Sequence, residues 1–280
     1  MLGTVHTPGK TMLGLVIIFF LIFMLLTGIR PWAGPRTLLN AVGRFMIAEE
    51  TVIRTTGYNT INTSNFLIRY QGNKTDAQMV AEAAETARQN VDAFFGHSIK
   101  GQIPVVVYSS TEQLASSMGW DRSQQAMGVY WAGTIKVLDP SVWVDRNDPY
   151  TDFYLNGPMV HEYTHMQVDY LTGGNYPRWF TEGLAQYVEK QVNGFQFAVP
   201  KQTGVPYTLD KLSQGFDQLD EAQAYWQSLT AVEYIIEKYG EQAPMTIMHL
   251  LKQGYTMPQA LDKVCGSYDN LAAELYAQWQ

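Results

Sequence analysis

The chain reads as an α+β protein in which a sheet-bearing half precedes a helical half, behind an N-terminal membrane-spanning helix. Three observations predict this. Short β-branched or alternating segments are confined to the first part of the body, residues 66–138. From Leu155 onward the apolar residues recur at helical spacing instead. Ahead of both, 19 consecutive uncharged residues separate Lys10 from Arg30.

A helix over residues 11–29, rising 1.5 Å per residue, roughly spans the ~30 Å hydrocarbon core of a bilayer. The run exceeds the ~7 to 15 apolar residues of a cleavable signal, and no small-x-small site follows before Trp32 and Pro35. Residues 1–30 therefore read as an uncleaved signal anchor, with the lipid bilayer as a partner. Residues 31–58 read as a juxtamembrane amphipathic segment, with Leu38, Leu39, Val42, Phe45 and Met46 on one helical face suited to a membrane surface. Arg30, Arg36 and Arg44 against Lys10 favour a cytoplasmic body if counted literally. Residues 59–280 form the remaining domain.

Within that domain, residues 59–64 read as a polar connector. Phe66–Tyr70 and Ile103–Tyr108 read as strands, separated by an amphipathic helix over 76–95. A short helix, Thr111–Met118, can be capped by Ser110 or Thr111. Gly128–Trp131 and Thr134–Leu138 flank Ala132-Gly133 as a hairpin. Helices follow near 156–171, 178–191, 220–239, 242–253, 257–264 and 268–280, punctuated by Gly240, Gly254 and Gly266. Residues 193–207 are an irregular connection containing Pro and Gly.

Composition narrows the function. With 46% apolar and 13% aromatic residues, the chain can bury a large core and is ordered nearly throughout. Residues 1–54 carry five Lys/Arg against Glu49 and Glu50, so residues 55–280 carry −10 of the net −7. A body that acidic has no electrostatic reason to bind phosphate backbones, which excludes nucleic acid as a partner. Cys265 is the only cysteine, so neither an intramolecular disulfide nor a Cys-based zinc site can form.

The chemistry gathers at HEYTH, residues 161–165, which matches HExxH. Two histidines four apart share one helical face, so both imidazoles can reach one Zn²⁺. Glu162 projects about 100° away from His161, outside the ligand set but beside a metal-bound water whose proton it can accept. A lone histidine on an apolar face is usually a satisfied core residue, so the motif needs a third ligand. Glu182, in PRWFTEGLAQYVE (177–189), stands in an otherwise apolar helix where a carboxylate requires a partner. A metal is one such partner and a neighbouring Arg another.

HEYTH followed by WFTEGLAQY resembles the gluzincin metallopeptidases, particularly the bacterial peptidase MA-like domains. The match is clearest over 156–190, with a weaker likeness over 66–280 that includes AYWQSLTAVEYIIEKYG. The alternative HExxHxxGxxH pattern is absent, because Val168 and Leu171 stand where its glycine and third histidine belong. The resemblance implies a thermolysin-like two-lobed catalytic domain, with His161, His165 and Glu182 holding one zinc and Glu162 as general base. It implies a peptide or protein substrate added as a strand along Gly128 to Leu138, and a domain on the extracytoplasmic side of the cell membrane.

Three further residues are weighed on the same ground. Gln186 stands one turn after Glu182, where relatives often place a carboxylate that supports a ligating histidine, and an amide accepts more weakly. Tyr225 is a candidate to steady the oxyanion, against plain packing. His249 is a reserve third ligand, and otherwise a core or surface histidine. The rival to catalysis is a membrane-tethered binding module that keeps the fold without the activity.

Overall fold

The computed structural model describes residues 34–121, 126–144, 147–197, 199–200 and 205–280. The membrane-spanning helix expected over 11–29 lies outside them. Among the described residues no helix is long and apolar enough to cross a membrane. The α+β expectation holds: a five-stranded mixed sheet is followed by a helical body.

The sheet runs in the order β1-β2-β3-β5-β4. β2 (Phe66–Tyr70), β3 (Ile103–Tyr108) and β5 (Thr134–Leu138) are mutually parallel, and their outer neighbours run antiparallel. Every residue of β3 and β5 is buried, as suits parallel strands covered on both faces. The expected hairpin forms: β4 (Gly128–Trp131) pairs with β5, Trp131 opposite Thr134, and the turn holds positive φ at both Ala132 and Gly133. β4 is thereby one edge of the sheet.

The other edge corrects the reading of 59–64 as a connector, because β1 (Asn59–Asn62) pairs with β2, Asn59 opposite Tyr70. Its side chains are mostly exposed, so it lacks the apolar alternation by which a half-buried strand is recognised.

α1 (Gly34–Arg54) lies within the segment 31–58 expected to be amphipathic. α2 (Lys74–Phe95), capped by Asn73, crosses between β2 and β3 and turns Ala77, Val80, Ala84, Ala87 and Val91 into the main core. α3 (Thr111–Met118) is capped by Ser110 and covers the opposite sheet face, where Leu114 packs with Val106, Tyr108 and Leu138.

The helix expected over 156–171 forms, starting three residues later, and a further short helix not read from the sequence precedes it. α4 (Pro149–Asn156) ends at Gly157, which is extended ahead of Pro158, and α5 (Met159–Thr172) begins beyond it. The ring of a proline disfavours helical backbone at the residue before it, so the break belongs here. α6 (Arg178–Val192), α7 (Leu209–Gly215), α8 (Glu221–Tyr239), α9 (Ala243–Lys252), α10 (Met257–Cys265) and α11 (Tyr268–Gln278) complete the helical body. α5 lies between that body and the sheet, with neighbours α2, β4, α6 and α9.

Candidate metal centre

α5 is buried around nearly its whole circumference, so each side faces a different element. Met159, Val160, Met166 and Val168 fill the core. Toward α2, Tyr163 Oη donates to Asp92 Oδ1 at 2.6 Å, and Gln167 Nε2 donates to the same oxygen at 2.5 Å. That bolts one side of the helix in place. His161 and His165 turn toward α6, while Glu162 and Asp169 turn toward β4.

On α6, Trp179, Phe180, Leu184 and Val188 enter the core and leave Thr181, Glu182 and Glu189 facing α5. The Nε2 atoms of His161 and His165 lie 3.4 and 3.5 Å from Glu182 Oε2. His161, His165 and Glu182 can each offer one ligand atom, all within 4.8 Å of one another. The opposite ring nitrogens are engaged: His161 Nδ1 lies 2.7 Å from Glu189 Oε2, and His165 Nδ1 lies 2.7 Å from Thr181 Oγ1. The tautomer that carries its proton on Nδ1 gives it to these oxygens and turns the Nε2 lone pair toward Glu182. Two imidazoles and one carboxylate with oriented donors fit zinc, whose fourth position would then fall to a non-protein ligand.

The charges are mutually dependent. Burial pushes the Glu182 carboxyl up, but the two imidazoles outweigh it and hold it well below the usual carboxylate range. Burial opposes the His161 imidazolium, yet Glu189, with Glu182 and Glu162, holds its pKa well above the ordinary histidine value. Glu182 Oε1 also accepts from Arg178 Nε at 3.0 Å. Of the two partners weighed from the sequence, an Arg stands on Oε1, and Oε2 faces the two imidazoles with which it could hold a metal.

Glu162 is 6% exposed, and its Oε2 accepts the backbone N–H of Tyr130 on β4 at 2.5 Å. The approach requires Gly128: a Cβ there would lie 2.4 Å from Pro158 Cβ and 3.0 Å from Glu162 Cγ. Burial raises the Glu162 pKa above the usual carboxylate value despite the imidazoles of His165 and His161.

Gln186 touches neither histidine. Its amide donates to the carbonyls of Glu182 and Tyr225, at 3.2 and 2.9 Å, and so ties α6 to α8. The carboxylate on His161 is Glu189, which the reading of the sequence passed over. It stands two turns after Glu182 in the same apolar helix, and the same argument, that a buried carboxylate needs a partner, applies to it. Tyr225 Oη accepts from Arg178 Nη2 at 3.3 Å, and its ring packs on Phe197 and Phe216. Burial and the nearby Glu182 keep its phenol protonated. His249 is exposed on α9 and belongs to no metal-capable group among the described residues. Phe197 stands at the rim, its ring centroid 6.4 Å from that of His161.

No curated protein matches the chain. The family model described as the peptidase MA superfamily matches residues 83–280, a span that takes in α5, α6 and the helical body behind them. The chain belongs to the peptidase MA superfamily, and the domain that carries this centre is a gluzincin-like peptidase domain.

Proposed function

We propose that the chain is a membrane-anchored, zinc-dependent peptidase whose body lies outside the cytoplasm. The observation that carries the catalytic reading is the convergence of His161, His165 and Glu182 on one point with Glu162 alongside. His161, His165 and Glu182 would hold the metal. When bound there, zinc supplies the Lewis-acid charge that polarises a carbonyl and acidifies water.

The side chains do the rest. Glu162 takes the proton of the attacking water and returns it to the leaving amine, and its raised pKa suits both transfers. Tyr225, held protonated, donates to the oxygen that becomes negative. The edge of β4 faces Glu162, so an extended peptide can pair with it as an added strand while its backbone supplies most of the affinity. Phe197 offers an apolar wall for one substrate side chain.

Two carboxylates near one metal carry different roles, and this separates them. Glu162→Gln should keep zinc, since the amide is nearly isosteric and lies outside the ligand set, while turnover falls by ~10² to 10⁴. Glu182→Ala should lose zinc, because two imidazoles alone bind it weakly. Metal stoichiometry beside peptide hydrolysis for the full chain measures both. Near-normal turnover in Glu162→Gln removes the mechanism, and full zinc occupancy in Glu182→Ala removes the ligand set. A wild-type chain that holds zinc and cleaves nothing is the binding module.

A further inference from the structure

We propose that α1 is an interfacial helix whose exposed apolar face seats on a lipid surface while its opposite, polar face is fixed to the metal-binding domain. The inference rests on the reading of residues 1–30 as a membrane anchor.

α1 is amphipathic in the wrong sense for a helix that covers a core. Leu39, Phe45, Met46 and Ile53 are 64–69% exposed and Val42 is 48% exposed. Asn40, Arg44, Thr51 and Thr55 face inward, with both threonines buried. At 100° per residue the two sets are centred about 180° apart. A surface helix in water turns its apolar stripe to the core and its polar stripe out. This one turns its largest apolar side chains out, and only half-buried Ile47, Ala48 and Val52 add apolar surface toward the inner side.

The inward face is firmly attached. Asn40 Nδ2 donates to Asp169 Oδ1 at 2.9 Å, and Arg44 Nη1 pairs with Asp169 Oδ2 at 2.9 Å. The Arg44 guanidinium also lies over the Tyr170 ring, 4.3 Å from its centroid. At the far end, Arg69 Nη1 donates to the Thr55 carbonyl at 2.9 Å. Polar bonding with good geometry explains why this face is turned in. It leaves the apolar face without a protein cover among the described residues.

Chain length says what covers it. The 19-residue uncharged run ends at Ile29, and five Cα steps from there to Gly34 reach at most about 18 Å. A helix that starts so close to a bilayer-spanning segment begins at the interface, where an apolar face buries about 5 to 10 Å into the headgroup boundary. Leu39, Val42, Phe45 and Met46 come before any acid in α1, whereas Glu49 and Glu50 sit beside the stripe further on. The first turns therefore seat deepest, and the helix rises toward Ile53. Because Asp169 shares α5 with His161 and His165, this seating holds the cleft at one height and angle to the lipid.

The test uses the full chain in a Cys265→Ser background, with a polarity-sensitive fluorophore on Leu39→Cys, Val42→Cys, Met46→Cys, Ile53→Cys or Gln89→Cys. Gln89 is exposed on α2, across the sheet. The chain is reconstituted into phosphatidylcholine–phosphatidylglycerol vesicles that carry a nitroxide lipid. Quenching at 39, 42 and 46 should exceed that at 89 several-fold, with 53 between. Quenching no greater than at 89, in a chain that resists alkaline extraction, overturns the inference and leaves the anchor standing. Strong quenching in a chain that alkali strips from the vesicles supports α1 and overturns the anchor. A chain that never partitions into vesicles overturns both. Probes that are dry yet unquenched, with disulfide-linked pairs forming between unlabelled Val42→Cys chains under a mild oxidant, mean that a second copy covers the face and also overturn the inference.

Discussion

Glu189 decides how firmly His161 can serve as a ligand, though it lies too far along α6 to touch a metal itself. Its Oε2 accepts the hydrogen bond from Nδ1–H, which fixes the ring and makes Nε2 the more basic nitrogen. Glu189→Gln keeps the shape but accepts more weakly, so zinc affinity should fall about 10- to 100-fold. Competition against a chelator of known strength measures this, and an unchanged affinity would show that Glu189 is only filling space. The grouping of His161, His165 and Glu182 was legible in the sequence, because four-residue spacing on a helix is a local fact and an isolated carboxylate in the apolar stretch around Glu182 stands out. Glu189 was visible in the same stretch, but its partner lies 28 residues away on another helix. Nothing local says which buried carboxylate faces which ring. The Tyr130 N–H on Glu162 was hidden for the same reason, since backbone donors leave no trace in side-chain pattern.

β4 sits against α5 as closely as Gly128 allows, and the strand is tied there twice. The Tyr130 N–H reaches Glu162, and Tyr130 Oη donates to Asp169 Oδ2 at 2.6 Å. A larger residue at 128 must push the strand off the helix or shift Pro158 and Glu162, and misplacement by about 1 Å can cost ~10² in rate. Gly128→Val should therefore lower kcat/KM about 100-fold while zinc stoichiometry stays at the wild-type level. Full activity in the folded variant would place the substrate elsewhere. Elements with a strong period were readable throughout: β2, β3, both hairpin strands and α3 stand where alternation, branching and capping put them. What escaped had weak local signal. β1 is an exposed polar edge defined only by its pairing, and the boundary between α4 and α5 depends on Gly157-Pro158 interrupting an apolar pattern that continues across it.

For the whole molecule, the proposal that the body is extracytoplasmic runs against the arginine count, and topology measured in cells tests it. Protease added to intact cells should digest residues 55–280 and spare the anchor. Protection until the membrane is permeabilised reverses the assignment. The relation of metal to fold can be argued further. The helices that carry His161, His165 and Glu182 are held by bonds away from the centre: α5 to α2 through Asp92 and to β4 through Glu162 and Asp169, and α6 to α8 through Gln186. Glu182 also has a counter-charge from the protein itself, the Arg178 guanidinium. The domain should therefore stay folded when zinc is removed, unlike small domains that fold only around their metal. Zinc then adds stability by mass action alone, about 4 kcal/mol at a thousandfold excess over its Kd. At ~2 to 4 °C per kcal/mol for a domain of this size, Tm should rise by about 8 to 16 °C on saturation and return with chelator. The far-UV circular dichroism of the stripped chain should match that of the loaded one. Loss of helical signal on chelation would mean that the centre organises α5 and α6, and that the bonds on their other sides are too weak to hold them.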